Sequence, residues 1–383
     1  MHVNYDTHSI YRVLPSLLSA STLLNLGQLC EALRSHLQSR YLLDDGDTLE
    51  LMAHGEANAI FRLGGDRLVR LAVNTPNQRF QGDFSRLTEF ESSILRYLAG
   101  SGLGHELLGE QRTASPDFPY TYLITNYIPG VPMDYSRRHL QQCATTLARL
   151  HRLPQRAGYE SFHQLSPLVP QVSHPLTVFW QEARDYAQPY LDSPAADAEI
   201  NDLLKAVLAQ AETRLASESL LTEYRHACLV HSDHTYDNWV VNDQQAYLID
   251  WEWAEIGSPA GDLGHFLSPI TIQRRQGYQM PREDRQFFLK AYYTALEDAK
   301  LAQTIQVHFA VFGAFPALRS LCWLANYGLT TNRWYADAGT NSPHTTPPVN
   351  SSTAARLERS QAGQQRLTQM GAEVMALLEA PLP

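Results

Sequence analysis

Cysteine is scarce in this 383-residue chain: Cys30, Cys143, Cys228 and Cys322 lie far apart and form no C-x-x-C pair. That scarcity argues against a disulfide framework and against a cysteine zinc site, and it makes a reducing cytoplasm the expected compartment. Long apolar runs are missing too. The most apolar late stretch, 311–329, is interrupted by Pro316 and Arg319, so it reads as a buried helix and no membrane partner is expected. The first six residues lack the basic segment of a signal peptide. Basic residues are in deficit, 30 Lys and Arg against 40 Asp and Glu for a net charge of −10, so clustered cations for nucleic-acid phosphates are not expected. There is no repeat of 20–50 residues, no G-x-S-x-G elbow for a serine hydrolase and no H-E-x-x-H zinc helix.

What is present suffices for real cores. Hydrophobic residues make up 44% and charged residues 18%, a balance that excludes intrinsic disorder and collagen-like or disulfide-stapled scaffolds. Leucines 23, 24, 26, 29 and 33 keep helical spacing and lead to a turn at Asp44–Asp47, which predicts a helical extension over 1–45. Short β-rich runs follow at 49–53, 59–63 and 68–73, the last two joined by the turn Gly64-Gly65-Asp66. A helix is expected over 89–98 and a further strand over 121–128, ending at Pro129-Gly130. Beyond that stop the pattern is mainly helical, with Leu140, Ala144, Leu147, Leu150 and His151 on one face. The expected divisions are therefore 1–45, a sheet-rich lobe over 46–128 and a helical lobe over 129–383. Within the last, 336–352 reads as an exposed loop and 354–378 as an amphipathic helix.

The chemistry concentrates between His231 and Asp262, in HSDHTYDNWVVNDQQAYLIDWEWAEIGSPAGD. Two β-rich runs, 239–241 and 246–249, flank a polar turn; a hairpin centred on Gln244 sets Asn238 opposite Asp250. Directly paired residues in an antiparallel ladder lie about 4.5–5.5 Å apart. The amide oxygen of Asn238 and the carboxylate of Asp250 then converge on one hard cation, which is magnesium chemistry. Asp233, on the loop just before, is placed to receive a proton from a substrate hydroxyl. His231 reads as a packing and hydrogen-bonding residue, and Asp262 as a brace for the loop backbone or a cap for a helix starting near Leu263. Trp251, Trp253, Trp323 and Trp334 are candidates to face a cationic amine, though core positions explain them as well.

This segment resembles the aminoglycoside phosphotransferase and choline kinase superfamily, whose pattern is H-G-D-x-x-x-x-N, a short hairpin, I-D-[WF]-E and a downstream D-L. Here those read His231-Ser232-Asp233, Asn238, Ile249-Asp250-Trp251-Glu252 and Asp262-Leu263. Flanking segments extend the resemblance from about residue 50 to 330. Leu147–His151 resembles a helix ending in L-x-x-L-H, and Leu123–Gly130 resembles the strand that presents backbone groups to adenine, which places Asn126 and Ile128 at the nucleotide. Gly55–Asn58 resembles the loop covering the nucleotide, Arg70 stands where the phosphate-contacting lysine is usual, and Glu91 stands for its helix partner.

The resemblance implies an α+β, bilobal, protein-kinase-like fold with a small antiparallel-sheet lobe and a large helical lobe, binding ATP or GTP and Mg²⁺. It implies transfer of the γ-phosphoryl group to a hydroxyl of a small molecule, with Asp233 as base, Asn238 and Asp250 on the metal and Arg70 on the phosphates. The acceptor is expected to be a metabolic alcohol, an amino alcohol or a sugar, and the acidic balance suits a cationic one. The alternatives are an aminoglycoside acceptor, and a catalytically silent protein that keeps the kinase shape.

Overall fold

The computed structural model describes residues 20–44, 46–54, 58–74, 78–223, 226–274, 278–331 and 353–382. In chain order the strands are β1 (Leu49–His54), β2 (Asn58–Leu63), β3 (Arg67–Ala72), β4 (Leu107–Gln111), β5 (Tyr122–Asn126), β6 (Val131–Pro132), β7 (Cys228–Val230), β8 (Trp239–Val241), β9 (Ala246–Leu248) and β10 (Glu255–Gly257). The helices are α1 (Ala20–Ser39), α2 (Phe84–Tyr97), α3 (Arg137–His151), α4 (Pro175–Leu191), α5 (Ala198–Thr213), α6 (Glu218–Glu223), α7 (Pro259–Phe266), α8 (Pro269–Gln273), α9 (Arg282–Ala295), α10 (Ala299–Phe312), α11 (Phe315–Thr331) and α12 (Thr353–Glu379).

The described residues group into two compact units. One takes in those of Met1–Thr146, Leu153–Pro170 and Asp237–Trp253; the other takes in Leu147–Arg152, Gln171–Tyr236 and Ala254–Pro383. The chain thus crosses between units several times, where the sequence divides it after 45 and after 128. The reason is the β8–β9 hairpin. It pairs through β8 with β6, and Thr146 Oγ1 of α3 donates to the Ala246 carbonyl (2.8 Å), which holds 237–253 with the sheet-bearing unit.

In the first unit, five strands form an antiparallel sheet in the order β1-β2-β3-β5-β4. Alternation along the strands sends Phe61, Val69, Leu71, Tyr122 and Ile124 into one core with Leu33 and Leu37 of α1. The predicted N-terminal helix is therefore part of this core from Leu29 onward. The helix expected from Glu89 begins earlier, at Phe84, because the Asp83 carboxylate accepts the Ser85 N–H and caps it.

The second unit is built on α4, α5, α10, α11 and α12, which bury Phe179, Leu204, Phe312, Leu318, Met370 and Val374 together. The apolar stretch Ala299–Leu329 has the length and composition of a membrane span, yet 61% of its most apolar window is buried within the fold. It breaks at Gly313-Ala314 into α10 and α11, where the sequence reads as one buried helix over 311–329; Pro316 sits in the first turn of α11, where a missing N–H costs nothing. The expected loop at 336–352 lies outside the described residues, and α12 follows it close to the predicted bounds.

Candidate active site

In the first unit, period-two alternation places Arg70 on the face opposite Val69 and Leu71, beside Leu123 of β5. One guanidinium nitrogen, Nη2, donates to Glu91 Oε1 of α2 (2.8 Å) and to Asp250 Oδ1 (2.9 Å). The sequence-based pairing of Arg70 with Glu91 is thus present, and the contact with Asp250 joins it. Burial pushes the Glu91 carboxyl up to about 6, with Arg70 pulling it down and the Asp250 charge adding to the rise. Leu95, His105, Leu123 and Trp251 line a small cavity around these three groups. Burial and the Arg70 charge hold His105 down at about 4, so it is neutral at pH 7, and its Nδ1 donates to the Asn126 carbonyl (2.8 Å).

The hairpin register differs from the sequence expectation. Trp239 pairs with Leu248, Val240 with Tyr247 and Val241 with Ala246, and the Ile249 N–H donates to the Asn238 carbonyl (3.1 Å). Asn238 therefore faces Ile249, one residue before Asp250. The turn explains the slip: Asn242 Oδ1 accepts the N–H groups of Gln244 and Gln245, and the Asn242 N–H reaches the Gln245 carbonyl. That Asx turn leaves a two-residue loop, so the centre falls between Asp243 and Gln244. Asp250 stands beyond the ladder with φ +67°, a left-handed conformation that Asp tolerates better than most residues.

Asn238 and Asp250 supply an amide oxygen and a carboxylate, both hard oxygen donors. Among the described residues no group of three or more His, Cys, Asp or Glu is assembled to hold a metal. Such a sparse oxygen set fits magnesium, which takes one or two carboxylates and completes its shell with water and phosphate. It does not fit zinc.

The expected nucleotide residues fare differently. Asn58 is buried at the start of β2 opposite Ala72, while 55–57 of the predicted covering loop lie outside the described residues. Asn126 closes β5. Its N–H donates to the Glu106 carbonyl (3.2 Å), its side-chain oxygen accepts the Glu106 N–H (2.7 Å), and its carbonyl takes His105. Its backbone and side chain are thus bonded to the segment that leads into β4. Ile128 is buried against Val240 and Ile249.

In the second unit, β7 pairs with β10 and releases the loop that begins at His231. Its anchor is Asp262 of α7, fully buried. Asp262 Oδ2 accepts the His231 N–H (3.0 Å) and lies 3.0 Å from His151 Nε2; Oδ1 accepts the Ser232 N–H (2.8 Å) and lies 2.8 Å from His234 Nε2. Burial works to raise this carboxyl, but the imidazoles of His234 and His151 outweigh it and hold the group well below the usual carboxylate range. The bracing role expected of Asp262 is what the geometry has. The capping role is not, since α7 starts at Pro259 and the Ser258 hydroxyl accepts the Ala260 N–H as its cap. Ser232 adopts φ +66°, the conformation for which glycine is the easy residue. The Asp233 N–H donates to His231 Nδ1 (3.3 Å), which gives His231 the hydrogen-bonding role expected of it.

Two contributors escape the sequence reading. Tyr292 of α9 meets His151 Nδ1 at 2.7 Å, and His265 of α7 brings Nε2 to 3.9 Å from Asp233 Oδ1. The spacing of His265 three residues after Asp262, one helical turn along the same face, is the signal that could have flagged it.

An antiparallel sheet with a buried Arg–Glu pair, a short hairpin ending in an aspartate and a carboxylate-clamped loop define a protein-kinase-like phosphotransferase fold. Residues 48–302 match the phosphotransferase enzyme family, and the chain belongs to that family. No curated protein sequence matches it. Among solved structures it is similar to choline kinase from Cryptosporidium parvum Iowa II, at 13% identity and TM-score 0.54, covering 93% of this chain and 98% of that one. A choline/ethanolamine kinase family protein from Mesorhizobium loti matches at 18% identity and TM-score 0.51, covering 90% and 98%. The GDP complex of aminoglycoside 2'-phosphotransferase-IIIa matches at 15% identity and TM-score 0.54, covering 88% and 96%. At these identities the likeness is one of fold.

Proposed function

We propose that this phosphotransferase moves the γ-phosphoryl group of ATP or GTP to a hydroxyl of a small molecule, with a metabolic alcohol, an amino alcohol or a sugar as acceptor. The observation that carries the reading is the clamp on the loop bearing Asp233: a buried carboxylate takes two consecutive backbone N–H groups, fixing the residue just before the proposed base. In the reaction the acceptor oxygen forms a bond to the γ-phosphorus as the bond to the β,γ-bridging oxygen breaks. The hydroxyl proton passes to the Asp233 carboxylate. Asn238 and Asp250 would hold Mg²⁺, which when bound neutralises charge on the phosphate oxygens. Arg70, anchored by Glu91, would add donors toward the same phosphates, with a planar fork where lysine offers a point charge.

The test combines an acceptor panel with two substitutions. Nucleotide consumption is followed with choline, ethanolamine, sugars, nucleosides and aminoglycosides, and turnover on an aminoglycoside alone would overturn the acceptor assignment. Asp233→Asn should lower transfer by about 10²–10⁴-fold while Mg-nucleotide affinity stays within twofold. Asp250→Ala should weaken Mg-nucleotide binding as well. Wild-type turnover in Asp233→Asn would remove that residue from the chemistry.

A further inference from the structure

His265 of α7 is buried beside the loop that carries Asp233, and its two ring nitrogens have different surroundings. The backbone N–H of His234 lies 2.9 Å from His265 Nδ1, and a backbone N–H can only donate. Nδ1 must therefore present its lone pair. The Thr271 hydroxyl, 3.4 Å away on α8, also faces Nδ1. A neutral ring then carries its proton on Nε2, the atom 3.9 Å from Asp233 Oδ1.

The charged and titratable groups around this ring are His234 and His231 on the loop, Asp262 on the same helix and Arg319 on α11. Burial first, then the His234 and Arg319 charges, hold the imidazole well below its ordinary range, with Asp262 opposing. The ring is neutral at pH 7, an N–H donor that carries no charge. Gly264, next to it, lets α7 lie against the α10–α11 junction, since a Cβ there would overlap the Gly313 carbonyl oxygen. The ring thus sits on a helix whose position is set by packing.

We infer that His265 is a positioning residue for the proposed base, with its Nε2–H directing the Asp233 carboxylate and favouring the ionised form that accepts the acceptor proton. This rests on the phosphotransferase reading above. The separation is longer than a hydrogen bond; such contacts are often loose without substrate and tighten in the working complex. A donor aimed at a carboxylate stabilises its charged form, so removing the donor raises the carboxyl's pKa. The acid limb of the rate profile then moves to higher pH.

Two substitutions separate positioning from bulk. His265→Asn keeps an oxygen near Nδ1 for the His234 N–H and loses the distal donor; His265→Gln reaches far enough to restore an N–H near Nε2. The assay is phosphate release from Mg-ATP by the full chain, water standing in for the acceptor, with Mg-ADP affinity and thermal unfolding measured alongside. We expect His265→Asn to lower kcat roughly 10–100-fold, leave the KM for Mg-ATP within twofold and shift the acid-limb midpoint up by about half a pH unit or more. His265→Gln should return the midpoint toward wild type. An unshifted midpoint in His265→Asn, or equal losses in both variants, would overturn the inference. Nitrogen-15 NMR of the wild-type imidazoles gives a readout independent of folding in the variants: a proton on Nδ1 of His265 would overturn it as well. Absence of both Mg-ADP binding and phosphate release in wild type would instead defeat the phosphotransferase reading, and the NMR result would still decide which nitrogen faces Asp233.

Discussion

Replacing Asp262 with asparagine removes one charge and one acceptor from a site that has four donors around it. The carboxylate is fully buried, with two backbone N–H groups and two imidazole nitrogens within 2.8–3.0 Å. Asparagine can satisfy the donors on one oxygen, but its NH₂ group then meets the donors on the other. Each buried donor so stranded costs about 1–3 kcal/mol, so two give roughly 4 kcal/mol. Against a total stability of about 5–15 kcal/mol, that is a large share. Urea unfolding followed by circular dichroism at pH 7 should show this loss, and Tm should fall by roughly 5 °C. The pH dependence has a definite sign. The folded-state carboxyl is depressed, so its stabilisation is present above the unfolded value of 3.8 and is lost as pH falls through the lower folded value. The gap between wild type and Asp262→Asn should persist down to about pH 4 and close below it. A loss under about 1 kcal/mol at pH 7 would refute the claim that this carboxylate organises the loop.

Arg70→Met leaves Glu91 and Asp250 facing each other without their shared cation, at a cost of about 2–4 kcal/mol at pH 8. The Glu91 carboxyl already stands raised from 4.5 to about 6, so its contribution favours the fold below 4.5 and is lost as pH rises through 6; without Arg70 the value climbs further. Urea unfolding should therefore show a smaller penalty at pH 5 than at pH 8, and the reverse trend would contradict the pairing. Ser232→Gly relieves a left-handed residue at φ +66° and should raise stability by about 0.5–1 kcal/mol without changing Mg-nucleotide affinity. Thermal unfolding with and without Mg-ADP checks both parts.

Local pattern was enough to recover much of this molecule. The β1–β2–β3 run, α3 and the strand at 122–126 follow from alternation, helical spacing and turn residues, which act over a few neighbours. The spaced set His231, Asp233, Asn238, Asp250 and Asp262 pointed to the family because it resembles the family's pattern in order and spacing. The hairpin register did not follow from the same reading. The β-rich pattern tolerates a centre on Gln244 or between Asp243 and Gln244, and the choice came from the Asn242 side chain bonding two N–H groups.

Other features needed contacts between distant parts of the chain. Arg70 and Asp250 are 180 residues apart, so no window of sequence couples them, and a single guanidinium nitrogen joins the pair with Glu91. The bonds that Asn126 makes to His105 and Glu106 depend on β4 pairing with β5. The commitment of Asp262 to the loop rather than to a helix cap depends on where α7 begins, which the Ser258 hydroxyl decides. By itself the sequence determined the types of the strongly patterned elements and the order of the polar groups between His231 and Asp262, because propensity and spacing are local properties. Tertiary structure decided which of those groups share a proton or a charge, because donors and acceptors from separate elements must be buried together before their pairing can matter.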